Sequence, residues 1–164
     1  MREKFADYYG IKPEHLTAGN GSDEILSIIS TALLEKGSKV IFIAPDFGMF
    51  KIYSMLAEHE IIELGKNADL TIDVDGLINA VRRENADCIY FSNPCNPTSV
   101  LLSDDEVRRL VTSVSCLVIL DEAYMDFCGE GLTKEAHLYD NLIVLRTCSK
   151  AMGMAALRLG FAVA

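Results

Sequence analysis

Along the chain, short apolar runs alternate with stretches in which apolar residues recur every three or four positions. The runs are residues 40–44 (VIFIA), 60–64, 88–92 (CIYFS), 116–120 (CLVIL) and 142–145. Each has the length of a strand, and most are continuous rather than alternating, the pattern of strands covered on both faces. A shorter run, Leu16-Thr17-Ala18, precedes them. Between the runs the period becomes that of a helix. Residues 23–35 set Ile25, Leu26, Ile29, Ala32 and Leu33 on one face, and residues 75–83 and 103–114 are similar. Ser103-Asp104-Asp105-Glu106 reads as a capping box, S-x-x-E. Strand, helix, strand, helix predicts a mostly parallel α/β sheet with helices on both faces. Such a sheet binds ligands beyond the carboxyl ends of its strands, so the residues that follow each run are where chemistry is expected. No internal repeat, low-complexity tract or linker breaks the pattern. Two longer connections, residues 93–102 and 122–141, stand out.

After the first run comes G-N-G-S-D-E, residues 19–24. Glycines permit close backbone approach, and the helix start that follows offers free N–H groups to an anion. A plain loop with Ser22 or Asp23 as helix cap explains the same residues. Phe47 follows the second run and is either a core residue or a ring at a ligand site. N-P-C-N-P-T, residues 93–98, has two Asn-Pro steps, which stiffen the backbone and can aim the Asn96 amide. Asp121 closes a run buried on both faces and needs a cation, a cap or an ion pair. Tyr124 lies three residues on. The last run leads into L-R-T-C-S-K-A-M-G-M-A-A-L-R-L-G, residues 145–160, where Lys150 is flanked by small apolar residues and no acid. Either Lys150 is a nucleophile in apolar surroundings, or it sits at a helix start and reaches water.

Composition narrows the classes. At 164 residues the chain has one domain's length and enough material for a core, and its mean hydropathy is +0.21. Twenty-four acidic against 15 basic residues give a net charge of −9, unsuited to nucleic acid or a membrane surface. The cysteines, Cys88, Cys95, Cys116, Cys128 and Cys148, are odd in number and form no C-x-x-C, which fits a reducing, cytoplasmic compartment. The opening M-R-E-K-F-A-D-Y-Y-G lacks the apolar core of a secretory signal, and no run approaches membrane-spanning length. His15, His59 and His137 show no metal-ligand spacing and read as surface or boundary residues. A nucleotide site built on G-N-G-S-D-E is disfavoured, because neither G-x-G-x-x-G nor G-K-[ST] occurs.

Taken in order, G-N-G-S-D-E, N-P-C-N-P-T, D-E-A-Y and T-C-S-K-A-M-G-M-A-A-L-R-L-G resemble the motifs of fold type I pyridoxal-phosphate enzymes. The likeness is to the class I/II aminotransferases, closest to the histidinol-phosphate aminotransferases, and it spans almost the whole chain. It implies a three-layer α/β sandwich around a mostly parallel seven-stranded sheet whose last strand is antiparallel. It also implies pyridoxal 5'-phosphate as cofactor. Lys150 would form the Schiff base and shuttle the proton between substrate and cofactor. Asp121 would pair with the pyridine nitrogen, and Asn96 and Tyr124 would bond the phenolic oxygen. Phe47 would stack on the ring. The Ser22 and Asp23 N–H groups, Thr147, Ser149 and Arg158 would hold the phosphate.

The implied activity is transamination between an amino donor, an amino acid or amino phosphate, and a keto-acid acceptor, in a homodimer. A decarboxylase resembling threonine-phosphate decarboxylase shares these motifs, and a non-catalytic cofactor-binding fragment is the reading from another class. Members of the family are longer than this chain. The resemblance therefore implies that residues 1–164 are a truncated large domain, without the N-terminal segment and the small C-terminal domain, and with little or no activity alone. One departure is local: the family's Asn-Pro motif commonly ends in Thr-Gly, and here it ends in Thr98-Ser99. Serine is expected to be tolerated there if its φ is negative.

Overall fold

In the computed structural model, which describes residues 1–164, every apolar run is a strand. The elements in order are α1 (Arg2–Tyr9), β1 (Leu16–Asn20), α2 (Gly21–Ile28), β2 (Lys39–Ala44), α3 (Met49–Leu56), β3 (Glu60–Gly65), α4 (Val74–Glu84), β4 (Cys88–Ser92), α5 (Asp104–Ser113), β5 (Leu117–Asp121), β6 (Leu142–Thr147) and β7 (Leu159–Val163). They form one seven-stranded sheet in the order β1-β7-β6-β5-β4-β2-β3. Only β7 runs against the others, pairing antiparallel with both β1 and β6. The remaining pairs are parallel, so six strands end at the same edge.

Side-chain alternation builds a core on each face. Ile41, Ile43, Ile89, Phe91, Val118, Leu120 and Val144 point to one side, where α1, α4 and α5 cover them. Val40, Phe42, Cys88, Tyr90, Ile119 and Leu145 point to the other, under α2 and α3. Both sides are apolar, which is why β2, β4, β5 and β6 read as unbroken runs. Residues 60–64 differ: β3 is an edge strand with alternately exposed and half-buried positions. No helix is long and apolar enough to cross a membrane.

Local signals explain the helix ends. The Ser103 hydroxyl accepts from Glu106 N, and Glu106 reaches back to Ser103 N, so both halves of the expected capping box form. Asp73 caps α4 by accepting from Gly76 N. Helix α1 lies where no helix was predicted, and α3 likewise. The stretch expected as one helix over 23–35 is α2 followed by a π-helical turn, Ile29–Leu33. The wider turn rotates the apolar face, so Ile29 and Ser30 are buried while Leu33 is exposed. His59, expected at the surface or boundary, is buried with neither ring nitrogen bonded, and burial lowers its pKa.

The connection after β5 is pinned by a buried ion network. Arg146 and Glu122 are 1 % and 0 % exposed in their side chains and 3.1 Å apart. Arg146 also donates to Thr133 Oγ1 (2.6 Å), Asp126 Oδ1 (3.1 Å) and Glu130 O (2.7 Å). Glu122 accepts from Leu132 N and Thr133 Oγ1, and Tyr9 of α1 donates to Asp126. Each buried charge is thus paired and hydrogen-bonded, the condition under which an internal ion pair is tolerated.

Ser99 has φ +59°, in the left-handed region, so the condition set for a tolerated serine there, a negative φ, is not met. Its N–H bonds Cys95 O at 2.8 Å, which holds the turn. A side chain in that region costs about 1 kcal/mol. Ser99→Gly is expected to stabilise the chain by about 0.5 kcal/mol or more, read as a higher urea midpoint at constant m. A midpoint that stays put or falls contradicts a strained Ser99.

Candidate functional site

The ends of five parallel strands, β1, β2, β4, β5 and β6, and the turn before β7 converge on one open cleft. Ser22, Asp23, Phe47, Asn96, Asp121, Tyr124, Thr147, Ser149, Lys150 and Arg158 all line it, together with Ser92 and Ala123. The ten residues singled out in the sequence are thus brought together.

One end of the cleft suits an anion. Helix α2 starts at Gly21 with no side chain capping its first turn, because Asn20 contributes only its backbone N–H, bonded to Glu24. The amides of Gly21, Ser22 and Asp23 are therefore left without helical partners. Thr147 Oγ1 accepts from Ser149 N at 3.2 Å, which leaves its own proton to donate. Arg158, at φ +48°, turns its guanidinium back over the helix start, 3.5 Å from Ser149 Oγ and 3.7 Å from Asp23 Oδ2. Two glycines make this approach possible. A Cβ on Gly21 would meet Arg158 Nη2 at 2.6 Å, and one on Gly160 would meet Ser22 N at 2.3 Å.

The other end holds an acid without a counterion. Asp121, at the last position of β5, is 5 % exposed. It accepts from Ala123 N at 3.0 Å and forms no ion pair. Burial pushes its pKa up to about 7; the Ala123 N–H opposes the rise, and the neighbouring carboxylates Asp46, Asp23 and Glu122 add smaller upward pushes. Such a group is arranged to receive a cation or a proton donor.

Between the ends lie an aromatic, an amide and an amine. Phe47 is partly buried and packs edge-on against Phe50. Asn96 and Tyr124 reach the cleft from the loops after β4 and β5. Asn93, the first asparagine of the doubled Asn-Pro motif, is structural: it bonds both the N–H and the C=O of Leu102. Lys150 sits in the turn after β6, exposed and free of acidic partners, with Nζ 5.1 Å from the centre of the Tyr124 ring. The apolar surroundings weighed for it are not formed, since residues 151–158 are mostly exposed; nor is it at a helix start.

Ser92, Ala123 and the carboxylate of Asp46 behind the wall were not singled out in the sequence. The one available signal was that CIYFS ends in a polar residue just where the Asn-Pro loop begins.

Comparison with known proteins gives concordant results. The sequence model of the family "Aminotransferase class I and II" matches residues 1–164. A histidinol-phosphate aminotransferase from Clostridium novyi (strain NT) is 37% identical over 163 residues, 99% of this chain and 46% of that protein. The crystal structure of histidinol-phosphate aminotransferase from Sinorhizobium meliloti in complex with pyridoxal-5'-phosphate superposes with a TM-score of 0.91 at 27% identity, over 99% of this chain and 45% of that one. An L-threonine-O-3-phosphate decarboxylase from Porphyromonas gingivalis gives 0.84 at 25%, over 99% and 48%. The chain spans about half the length of the curated relatives it matches. With the family's sequence model matched from end to end, this chain belongs to the class I and II aminotransferases.

Proposed function

We propose that residues 1–164 form the pyridoxal-phosphate-binding large domain of an aminotransferase. Its substrate would be an amino phosphate of the histidinol phosphate kind, with a 2-oxo acid as acceptor. The carrying observation is Asp121, a buried carboxylate facing a small-molecule cleft with no cation of its own. A protonated pyridine nitrogen supplies what it lacks, and the amides, hydroxyls and arginine at the other end suit a phosphate. When bound, the cofactor supplies an electron sink for the bond broken at the substrate's α-carbon.

The chain's own groups divide the remaining work. Asp121 keeps the pyridine nitrogen protonated. Tyr124 and Asn96 donate to the phenolic oxygen, and Phe47 covers one ring face. Ser22 and Asp23 amides, Thr147, Ser149 and Arg158 fix the phosphate. Lys150 Nζ would be the amine that meets the cofactor's aldehyde, and it would serve as the base that moves a proton at the substrate α-carbon. A homodimer in the cytoplasm completes the proposal, supported by family membership and by cysteines that are all free. The likeness to a threonine-phosphate decarboxylase supports decarboxylation as the second reading, since both reactions can use these same cofactor contacts. The 37% identity to a histidinol-phosphate aminotransferase favours the first.

Two experiments test this. Reduction with borohydride in the presence of pyridoxal 5'-phosphate, followed by peptide mapping, is expected to label Lys150. Lys150→Ala is expected to lose the label while keeping its circular dichroism, because the side chain is exposed and makes no ion pair. A folded wild-type chain with no adduct contradicts the proposal.

The second uses the raised pKa of Asp121. A carboxyl whose folded pKa lies above its unfolded value binds more protons when folded, so stability falls as pH rises from about 3.8 to about 7. Without cofactor, Asp121→Asn should therefore raise the melting temperature at pH 8 and leave it nearly unchanged at pH 4. With cofactor the same variant should lose much of the stabilisation that loading brings. Equal shifts at both pH values would show that the carboxylate is not the cause.

A further inference from the structure

Asp46 lies behind the cleft wall, in the turn that follows β2. Its carboxylate is mostly buried, and burial raises its pKa while hydrogen bonds from Ser92 and Phe47 and the charge of Lys66 oppose the rise. Oδ1 accepts from the N–H of Phe47 at 2.6 Å and from the Ser92 hydroxyl. Oδ2 accepts from Ser92 N at 3.0 Å. Ser92 is 4 % exposed, and its Oγ in turn accepts from Asn96 N at 3.2 Å. One acceptor thus ties three elements: the turn carrying Phe47, the end of β4, and the loop carrying Asn96. Phe47 and Asn96 both line the cleft.

We propose that Asp46 and Ser92 are positioning residues, which set Phe47 and Asn96 in register with each other through a shared set of hydrogen bonds. The proposal rests on the cofactor reading above for what Phe47 and Asn96 touch, but the linkage itself belongs to the chain alone. Asp46 suits the task because an ionised carboxylate only accepts, and here it receives three donors. Asparagine would turn one oxygen into a donor facing Phe47 N or Ser92 N, so Asp46→Asn is a disruptive variant, not a conservative one. Ser92 must both donate and accept, which threonine can do and alanine cannot.

The test has one part without cofactor and one with it. Amide hydrogen exchange is measured on the wild-type chain and on Ser92→Ala, Ser92→Thr and Asp46→Asn. Ser92→Ala is expected to speed exchange at Asn96 roughly fivefold or more, the factor for one ordinary hydrogen bond, and Ser92→Thr to restore it. Asp46→Asn is expected to speed exchange at Phe47 and Asn96 together. Unchanged Asn96 exchange in Ser92→Ala overturns the proposal.

With pyridoxal 5'-phosphate loaded, the pH titration of the visible band is compared for Ser92→Ala, Asn96→Ala and the double variant. Ser92→Ala should move the midpoint in the same direction as Asn96→Ala, and the double variant should move it no further than Asn96→Ala alone. Additive shifts, or a lower melting temperature with no spectral shift, would reduce Ser92 to a structural residue and sink the idea. A chain that fails to load refutes the cofactor reading, while the exchange result still decides the linkage.

Discussion

The organisation of the cleft turns on one uncompensated charge. Asp121 ends the middle strand of the sheet, and its neighbour in sequence, Glu122, is also buried. The fold gives Glu122 an arginine, a hydroxyl and a backbone amide. It gives Asp121 one backbone amide. A cation was therefore available a residue away and is committed elsewhere. A buried carboxylate is tolerated without a partner only if it protonates or if something outside the chain completes it. The paired acid anchors the long connection, and that anchoring lets the unpaired one keep its position.

The two ends of the cleft are built from different materials. At the end beside the start of α2, unpartnered backbone amides are prominent, and glycines there permit close approach of Arg158 and of the backbone of β7. At the acid end the cleft is lined by individual side chains, among them Phe47, Asn96, Asp121 and Tyr124. That asymmetry explains why the walls behind Phe47 and Asn96 carry a polar network, whereas the wall behind the helix start is packed directly by the backbone of Gly160.

Much of this was legible in the sequence, for a definite reason. Strands covered on both faces need unbroken apolar runs, and in a parallel sheet the residues just after those runs share an edge. Phe47, Asn96, Asp121 and Lys150 could be picked out by that rule alone, and the family resemblance then gave them roles. What stayed hidden lacks a local signature. Helix α1 is polar on average and buries only Phe5, Ala6 and Tyr9. The π-helical turn shifts a face without changing the pattern of residues. The Asp46 to Ser92 bonds join positions 46 residues apart, and the Arg146 network gathers residues from four separate stretches. His59 carries a polar side chain that the fold buries without partners, which no rule of composition anticipates.

The pairing of β1 sets the order in which the cleft can come into being. Residues 16–20 have a single sheet neighbour, residues 159–163, which lies far along the chain from them. On a ribosome the segment that leads into the anion end emerges long before β7, and it has no strand to pair with until β7 has cleared the exit tunnel. The helix start, the hydroxyls after β6 and Arg158 cannot meet before then. A nascent chain can lay down its central parallel strands early, but the residues of the anion end cannot be brought together until β7 has left the tunnel and paired with β1.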